Sequence, residues 1–428
     1  MDGPGPLAGV RVVESSMLGP AELGGLLAEL GADVIKVEPP GGDYGRQMTW
    51  PIIRSRHDEG DCSLLSLHVN RGKRSIVLDL RKPEAVQAYL DLVRVSDVVI
   101  EAMRPGALAN RGLDVDTLWS VNRQVVFCSL SGYGATGPYR DMPSHGIAYD
   151  TWAGQVPVER DERNRPVIAE HTSIGIHAGP AYAALAVLAA VIEARATGRG
   201  RAIELAQADA AAYFDWYRIE SWRAYERPLD EVYGNAADGG ARRPPGTAGM
   251  REGVRYQVYD TADGQLVLFM ASEQAFWRNF CAGVGRMDLF ERWPGSTYAD
   301  HARGNEPLHD ELVGIFATRT AVQWLAFGEE HNTPIAPVNT PATIAADPQF
   351  RHRLPWIPAD RLDADMLPFP VRHLDGSLLP PPGKAPDAGA HTEQVLREVA
   401  GYDADAVQRL RASGAMGPHR VGPDPSGG

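Results

Sequence analysis

An α/β fold built on a parallel, Rossmann-like sheet is predicted by three features of the 428-residue chain. A strand–helix–strand unit occupies residues 10–38, and the same alternation returns between 75 and 130. Further on, an almost purely apolar helix runs into a strand near residue 202. Strands that alternate with helices must lie parallel, joined by right-handed crossovers.

Val10-Arg11-Val12-Val13 reads as the first strand, and Ser15-Ser16-Met17-Leu18-Gly19-Pro20 as a turn. Ala21–Leu30 reads as a helix with Leu23, Leu26, Leu27 and Leu30 on one face. Gly31 ends it, and residues 32–38 form the second strand. The first turn has no Gly-x-Gly-x-x-Gly, so a dinucleotide site is not supported. Ser75–Leu80 is strand-like, Pro83–Val93 helical, and Val98–Glu101 and Gln124–Leu130 are further strands. Pro39-Pro40-Gly41-Gly42-Asp43 and Pro105-Gly106 are loops that follow strand C-termini. At that edge open α/β sheets usually bind their ligands.

The stretch His177–Ala196 has no polar face, which implies a central buried helix. Glu193 and Arg195 cut it short of the ~20 apolar residues of a membrane span. Thr197-Gly198-Arg199-Gly200 supplies a glycine for a left-handed cap, and Ala202–Ala206 is strand-like. A Gly/Pro/Arg-rich stretch from Glu226 to Gly253 reads as a linker or binding loop. Beyond it, Tyr256–Thr261 and Gln265–Met270 flank an Asp263-Gly264 turn, a hairpin signal. Helical patterns cover Ala275–Gly285 and Leu308–Ala326, and Gly417–Gly428 reads as a frayed tail.

With 44% hydrophobic residues the chain can bury a large core, and its length suggests two or three domains. A formal charge of −13 argues against nucleic acid or an anionic membrane surface as partner. Cys62, Cys128 and Cys281 are scattered and odd in number, so neither a disulfide framework nor a metal site is readable. The N-terminus lacks a signal-peptide pattern, and a cytoplasmic location is expected.

Several segments in order resemble the family III CoA-transferases (the CaiB/BaiF family). Leu7-Ala8-Gly9-Val10-Arg11-Val12 with Gly19-Pro20 resembles the opening, and Leu30–Asp43 is similar to the second strand and loop. Asn70–Leu80 matches the "N-x-x-K-R-S-I-x-L-D-L" element. Glu101–Gly106, followed by Gly112-Leu113, resembles "E-N-F-x-P-G" with Ala102 in place of asparagine. Ser131–Tyr139 looks like "S-G-F-G-x-x-G-P-Y", and Tyr149-Asp150 with Ala153-Gly154 like a shortened "Y-D-x-x-x-Q-A-x-S-G". The central helix with its Arg-x-x-Gly-x-Gly lies in the middle, and Pro334–Thr340, Asp347-Pro348-Gln349 and 385–402 resemble later elements.

The resemblance implies a Rossmann-like domain holding both chain ends, a smaller α+β domain and an interlocked dimer. Expected boundaries are 1–220 for the large domain, 221–254 for a linker and 255–340 for the small domain. A return linker at 341–380 and a C-terminal segment at 381–428, packing on the large domain, complete the chain. The ligands implied are coenzyme A as an acyl-CoA and a carboxylic acid, with no metal. Lys73, Arg74 and Arg104 would meet the CoA phosphates, beside Met103. The alternative for these cations is a solvated basic turn or loop. Ser15 and Ser16, with Met17 and Leu18, would line the thioester in a pocket more apolar than a dicarboxylate requires.

Family chemistry is covalent: a carboxylate attacks the thioester, and an enzyme–CoA thioester carries the exchange. The catalytic aspartate of the family stands at the start of the central helix, just after one glycine and four residues before another. Here that place reads Ser173-Ile174-Gly175-Ile176-His177-Ala178-Gly179, without a carboxylate. Asp150 (otherwise a turn or cap), Glu170, His171 and His177 are the nearby candidates for chemistry. Three readings remain. The chain is a CoA-transferase using Glu170 or Asp150, or a silent CoA-binding subunit paired with an aspartate-bearing paralogue. The third is an acyl-CoA racemase or isomerase using His171 or His177.

Overall fold

The computed structural model describes residues 5–54, 60–235, 239–297 and 299–417. These fall into two compact units, Met1–Asp215 with His352–Gly428, and Trp216–Arg351.

The first unit is organised by a six-stranded parallel sheet. Its strands are β1 (Arg11–Ser16), β2 (Asp33–Glu38), β3 (Arg74–Val77), β4 (Val98–Ala102), β5 (Val126–Ser131) and β6 (Ala202–Ala206), in the spatial order β6-β5-β4-β1-β2-β3. The order reverses beside β1, where the chain first winds outward to β3 and then returns through β4. That reversal is the switch point at which a crevice opens above the strand C-termini. Register follows the apolar pattern: Val12 faces Val34 on one side and Val98 on the other.

Both faces of the sheet are covered, so the strands read as continuous apolar runs. Helix α1 (Glu22–Glu29) lays Leu23 and Leu27 on one face, which it shares with the long helix α6 (Gly175–Thr197). By length and composition alone α6 could cross a membrane. Here its Ala183, Val187, Ala190 and Val191 pack in the core against Val12, Ile100 and Leu130. Its end is as expected, with Gly198 left-handed at φ 72° and its N–H returned to the Ala194 carbonyl. Its start lies two residues earlier than the apolar run suggests, because Asp150 caps it from a separate helix. On the other face, α3 (Pro83–Val93) buries Tyr89 and Leu92 together with Val395, Leu396, Val407 and Leu410 from the last two helices, Thr392–Glu398 and Ala404–Ala412. The Asp79 N–H donates to the Ala415 carbonyl, and His391 N–H to the Ser75 carbonyl.

The second unit holds a three-stranded antiparallel sheet, β7 (Tyr256–Asp260), β8 (Leu266–Met270) and β9 (Ile335–Pro337), around an aromatic core of Phe269, Trp277, Phe280, Phe316 and Trp324. The single helix read over Leu308–Ala326 is two helices, Glu306–Phe316 and Ala321–Glu330. Thr320 and Gln323 form a capping box, which starts a new helix where periodicity alone continues the old one. In the Gly/Pro-rich stretch, Arg242 donates to the carbonyls of Tyr225, Arg227, Pro228 and Val232 and folds the loop about its guanidinium.

Candidate functional site

The C-terminal edge of the parallel sheet encloses a cavity of about 420 Å³. Ser15 and Ser16 at the end of β1 and Met17 just beyond it line the cavity, with Glu38 at the end of β2, Pro39 and Pro40 after it, Leu78 after β3 and Met103 after β4. Its size suits a ligand fragment of nucleotide scale. The walls are mostly apolar, and two guanidinium groups, Arg81 and Arg111, stand among the lining residues. Arg81 is bidentate with Asp79 at 2.7 and 2.8 Å, which fixes its plane. The loop carrying Met103 is ordered by the buried Glu101 carboxylate, which accepts the Leu108 N–H at 2.6 Å and the Ser129 hydroxyl at 3.2 Å. Ser15 shares a 3.2 Å hydrogen bond with Tyr89. The lining thus combines an apolar slot with two guanidinium groups, one of them paired with Asp79, a chemistry suited to an anionic ligand with an apolar body.

Of the cations expected to meet phosphates, the structure brings neither Lys73 nor Arg74 to this cavity. The Lys73 side chain is fully buried, 2.6 Å from Glu14, and donates to the Ala21 carbonyl. Burial pulls its pKa down to about 8, against the opposing pull of Glu14. Its place is fixed by Gly24, where a Cβ would stand 2.5 Å from the Glu14 carboxylate. Arg74 begins β3 at the opposite edge of the sheet, paired with Asp33 at 2.6 Å. Arg104 is exposed in the loop after β4, beside the lining residue Met103. The sequence alone does not single out Arg81 or Arg111. The signal was present, since Arg81 directly follows the matched Asn70–Leu80 element and Arg111 precedes Gly112-Leu113.

A second group of residues gathers at the start of α6. Asp150, on helix α5 (Gly146–Trp152), is fully buried. Its Oδ1 accepts the N–H groups of Ile174 and Gly175 at 3.1 and 2.7 Å. Its Oδ2 lies 3.7 Å from His171 Nε2, while His171 Nδ1 contacts the Ala169 carbonyl at 3.0 Å. Glu170 is exposed. His177 turns the other way, to Glu22 at 2.8 Å, whose hydrogen bond raises its pKa. Gly175 is enclosed: a Cβ there would come 2.8 Å from the Tyr149 Cβ and 3.3 Å from Asp150 Oδ1. Ile176 is the side chain that reaches toward the β1 turn. Its Cδ1 fills the space beside Gly19 and Gly146, where added Cβ atoms would lie 2.5 and 3.1 Å away.

Comparison with known proteins identifies relatives of the whole chain. The family model described as CoA-transferase family III matches residues 7–392. The chain is 31% identical to the succinate–glutarate CoA-transferase of Agrobacterium fabrum, over 92% of this chain and 96% of that one. It is 30% identical to the succinyl-CoA–L-malate CoA-transferase beta subunit of Chloroflexus aurantiacus, over 95% and 97%. Among solved structures, a CAIB/BAIF family protein from Brucella suis superposes with a TM-score of 0.74 at 26% identity, covering 93% of this chain and all of the other. With a family match spanning the sheet, the cavity and the whole of the second unit, the chain belongs to the family III CoA-transferases.

Proposed function

We propose that this protein binds an acyl-CoA at the C-terminal edge of its parallel sheet and takes part in CoA transfer without a thioester nucleophile of its own, beside an aspartate-bearing partner chain. One observation carries the reading: the first turn of α6 offers Gly175 and Ile176 toward its surroundings, and the nearest carboxylate, Asp150, is sealed and engaged in capping. A carboxylate that attacks a thioester must reach the carbonyl carbon at about 3 Å. Asp150 Oδ1 is committed to two backbone N–H groups, and Oδ2 is buried facing His171 rather than open to a ligand. Arg81 and Arg111 supply charge for the CoA phosphates, and Ser15, Ser16 and Met17 form the wall beside the pantetheine. The relative from Chloroflexus aurantiacus, a beta subunit, supports the pairing.

A second reading, proton exchange next to the thioester, is favoured by the Asp150–His171 pair. The two readings separate in one experiment on the purified chain. Calorimetric titration with coenzyme A tests the ligand, and hydroxylamine treatment after incubation with an acyl-CoA tests for an activated acyl or CoA adduct. Binding without adduct, and transfer appearing only when an aspartate-bearing paralogue is added, is the expected result. An adduct on Asp150 or Glu170 would overturn it. Loss of an α-deuterium from the acyl-CoA, abolished by His171→Gln, would establish proton exchange instead.

A further inference from the structure

Leu18, in the turn between β1 and α1, has φ 55° and ψ −144°. For a residue with a branched side chain this region is strained, and such strain persists only where the surroundings over-determine it. Asp43 supplies that determinant. The Leu18 N–H donates to Asp43 Oδ2 at 3.3 Å, and that same oxygen receives Lys36 Nζ at 2.7 Å. Asp43 is itself held, through its N–H to Glu38 at 2.7 Å and through Oδ1 to the Gly45 N–H at 2.8 Å. Lys36 is anchored a second time on Asn70 Oδ1, 3.1 Å away, and both charged side chains are almost wholly buried. Gly45 closes the arrangement, since a Cβ there would meet the Leu18 side chain at 2.8 Å. Both ends of this link border the cavity: Ser16 and Met17 precede Leu18, and Glu38, Pro39 and Pro40 precede Asp43.

A buried ion pair is by itself weak evidence for stability. Its placement under a strained turn gives it another use. We propose that Lys36 and Asp43 are positioning residues for CoA binding: they pin the Leu18 amide, and so hold Ser16 and Met17 in the cavity wall in the conformation that receives the ligand. Asp43 makes the contact, Lys36 orients its carboxylate, and the strain at Leu18 makes the pin necessary. Released, the turn relaxes toward an ordinary conformation and the wall moves. The inference rests on the acyl-CoA reading above and adds to it the residues that shape the site.

The test is calorimetric titration of the full chain with coenzyme A, combined with thermal melting. Lys36→Met/Asp43→Leu removes both charges together, so that neither is left buried alone. This variant is expected to bind CoA roughly tenfold or more weakly, the scale of a lost preorganised contact. Adding Leu18→Gly should recover most of that loss, because glycine occupies the turn conformation without strain. Leu18→Gly in the wild-type background should raise the melting temperature, since glycine removes the strain while the Asp43 contact to the residue 18 amide is kept. This arm reads the strain even where the double variant fails to fold, and a lowered melting temperature would overturn the inference. Undiminished affinity in the folded double variant, or no recovery on adding Leu18→Gly, would overturn it too. Absence of CoA binding by the wild-type chain would instead remove the acyl-CoA reading, and this inference with it.

Discussion

Asp150 Oδ2 stands 3.7 Å from His171 Nε2, and neither atom has a hydrogen-bond partner among the described residues, although both are buried. The other oxygen of the same carboxylate holds the first two free N–H groups of α6. Asp150 thus joins two tasks, capping a 23-residue helix and facing an imidazole.

The capping task is separable. Asp150→Asn keeps an acceptor for Ile174 and Gly175, whereas Asp150→Ala leaves two buried donors unpaired. Urea unfolding should show Asp150→Ala destabilised by about 1–3 kcal/mol, with Asn well above it. Equal losses in the two variants would mean that the charge, rather than the cap, matters there.

The place of a nucleophile can be tested by restoring one. Gly175→Asp would drive a Cβ to within 2.8 Å of Tyr149, so it should destabilise by about 1–3 kcal/mol and yield no adduct. Ile176→Asp faces the glycines of the β1 turn and α5, where removal of the isoleucine leaves room. Of the two, only Ile176→Asp should give a hydroxylamine-sensitive adduct after incubation with acyl-CoA. Adduct formation by Gly175→Asp alone would show that the helix start is arranged differently.

Much of the fold was legible because it is local. The β1–α1–β2 unit, the Gly198 cap and the strand at Ala202–Ala206 all follow from short-range periodicity and turn residues. The site was less so. Lys73 and Arg74 look alike in sequence, a basic pair before a strand, but one meets Glu14 and the other Asp33, partners far along the chain. Nothing local says which way a strand-initiating cation turns. Likewise Ile176, rather than Gly175, reaches the β1 turn because α6 is rotated by its packing on the sheet, a tertiary fact that no window of sequence contains.

That difference gives a prediction about cations. Arg81→Ala and Arg111→Ala should each weaken CoA binding roughly tenfold if they meet phosphates, with melting little changed. Lys73→Met should do the reverse. It strands the Glu14 carboxylate in the core, and should lower stability by about 3–5 kcal/mol. A CoA affinity that falls in Lys73→Met at unchanged stability would return Lys73 to the ligand.

The acid limb of the stability curve should depend on Glu38. Burial pushes its carboxyl upward, but Arg46, Lys36 and the Ser75 hydroxyl outweigh this and hold the pKa down at about 2, against an ordinary value of 4.5. The Arg46 guanidinium lies 2.6 Å from Glu38, which is almost fully buried. In the unfolded chain the carboxyl binds a proton below pH 4.5, while the folded protein resists doing so until about pH 2. Between these values unfolding takes up a proton, so stability falls as the pH is lowered. The contribution is fully present above pH 4.5, amounts to about 3 kcal/mol, and is lost on the way down to pH 2. Arg46→Met removes the group that keeps the carboxylate charged, so burial prevails and the pKa rises. The variant should be less stable at neutral pH, and its stability should change less between pH 4.5 and 2 than that of the wild type. Denaturant unfolding at a series of pH values measures both, and parallel curves for the two proteins would exclude Glu38 as the source of the acid limb.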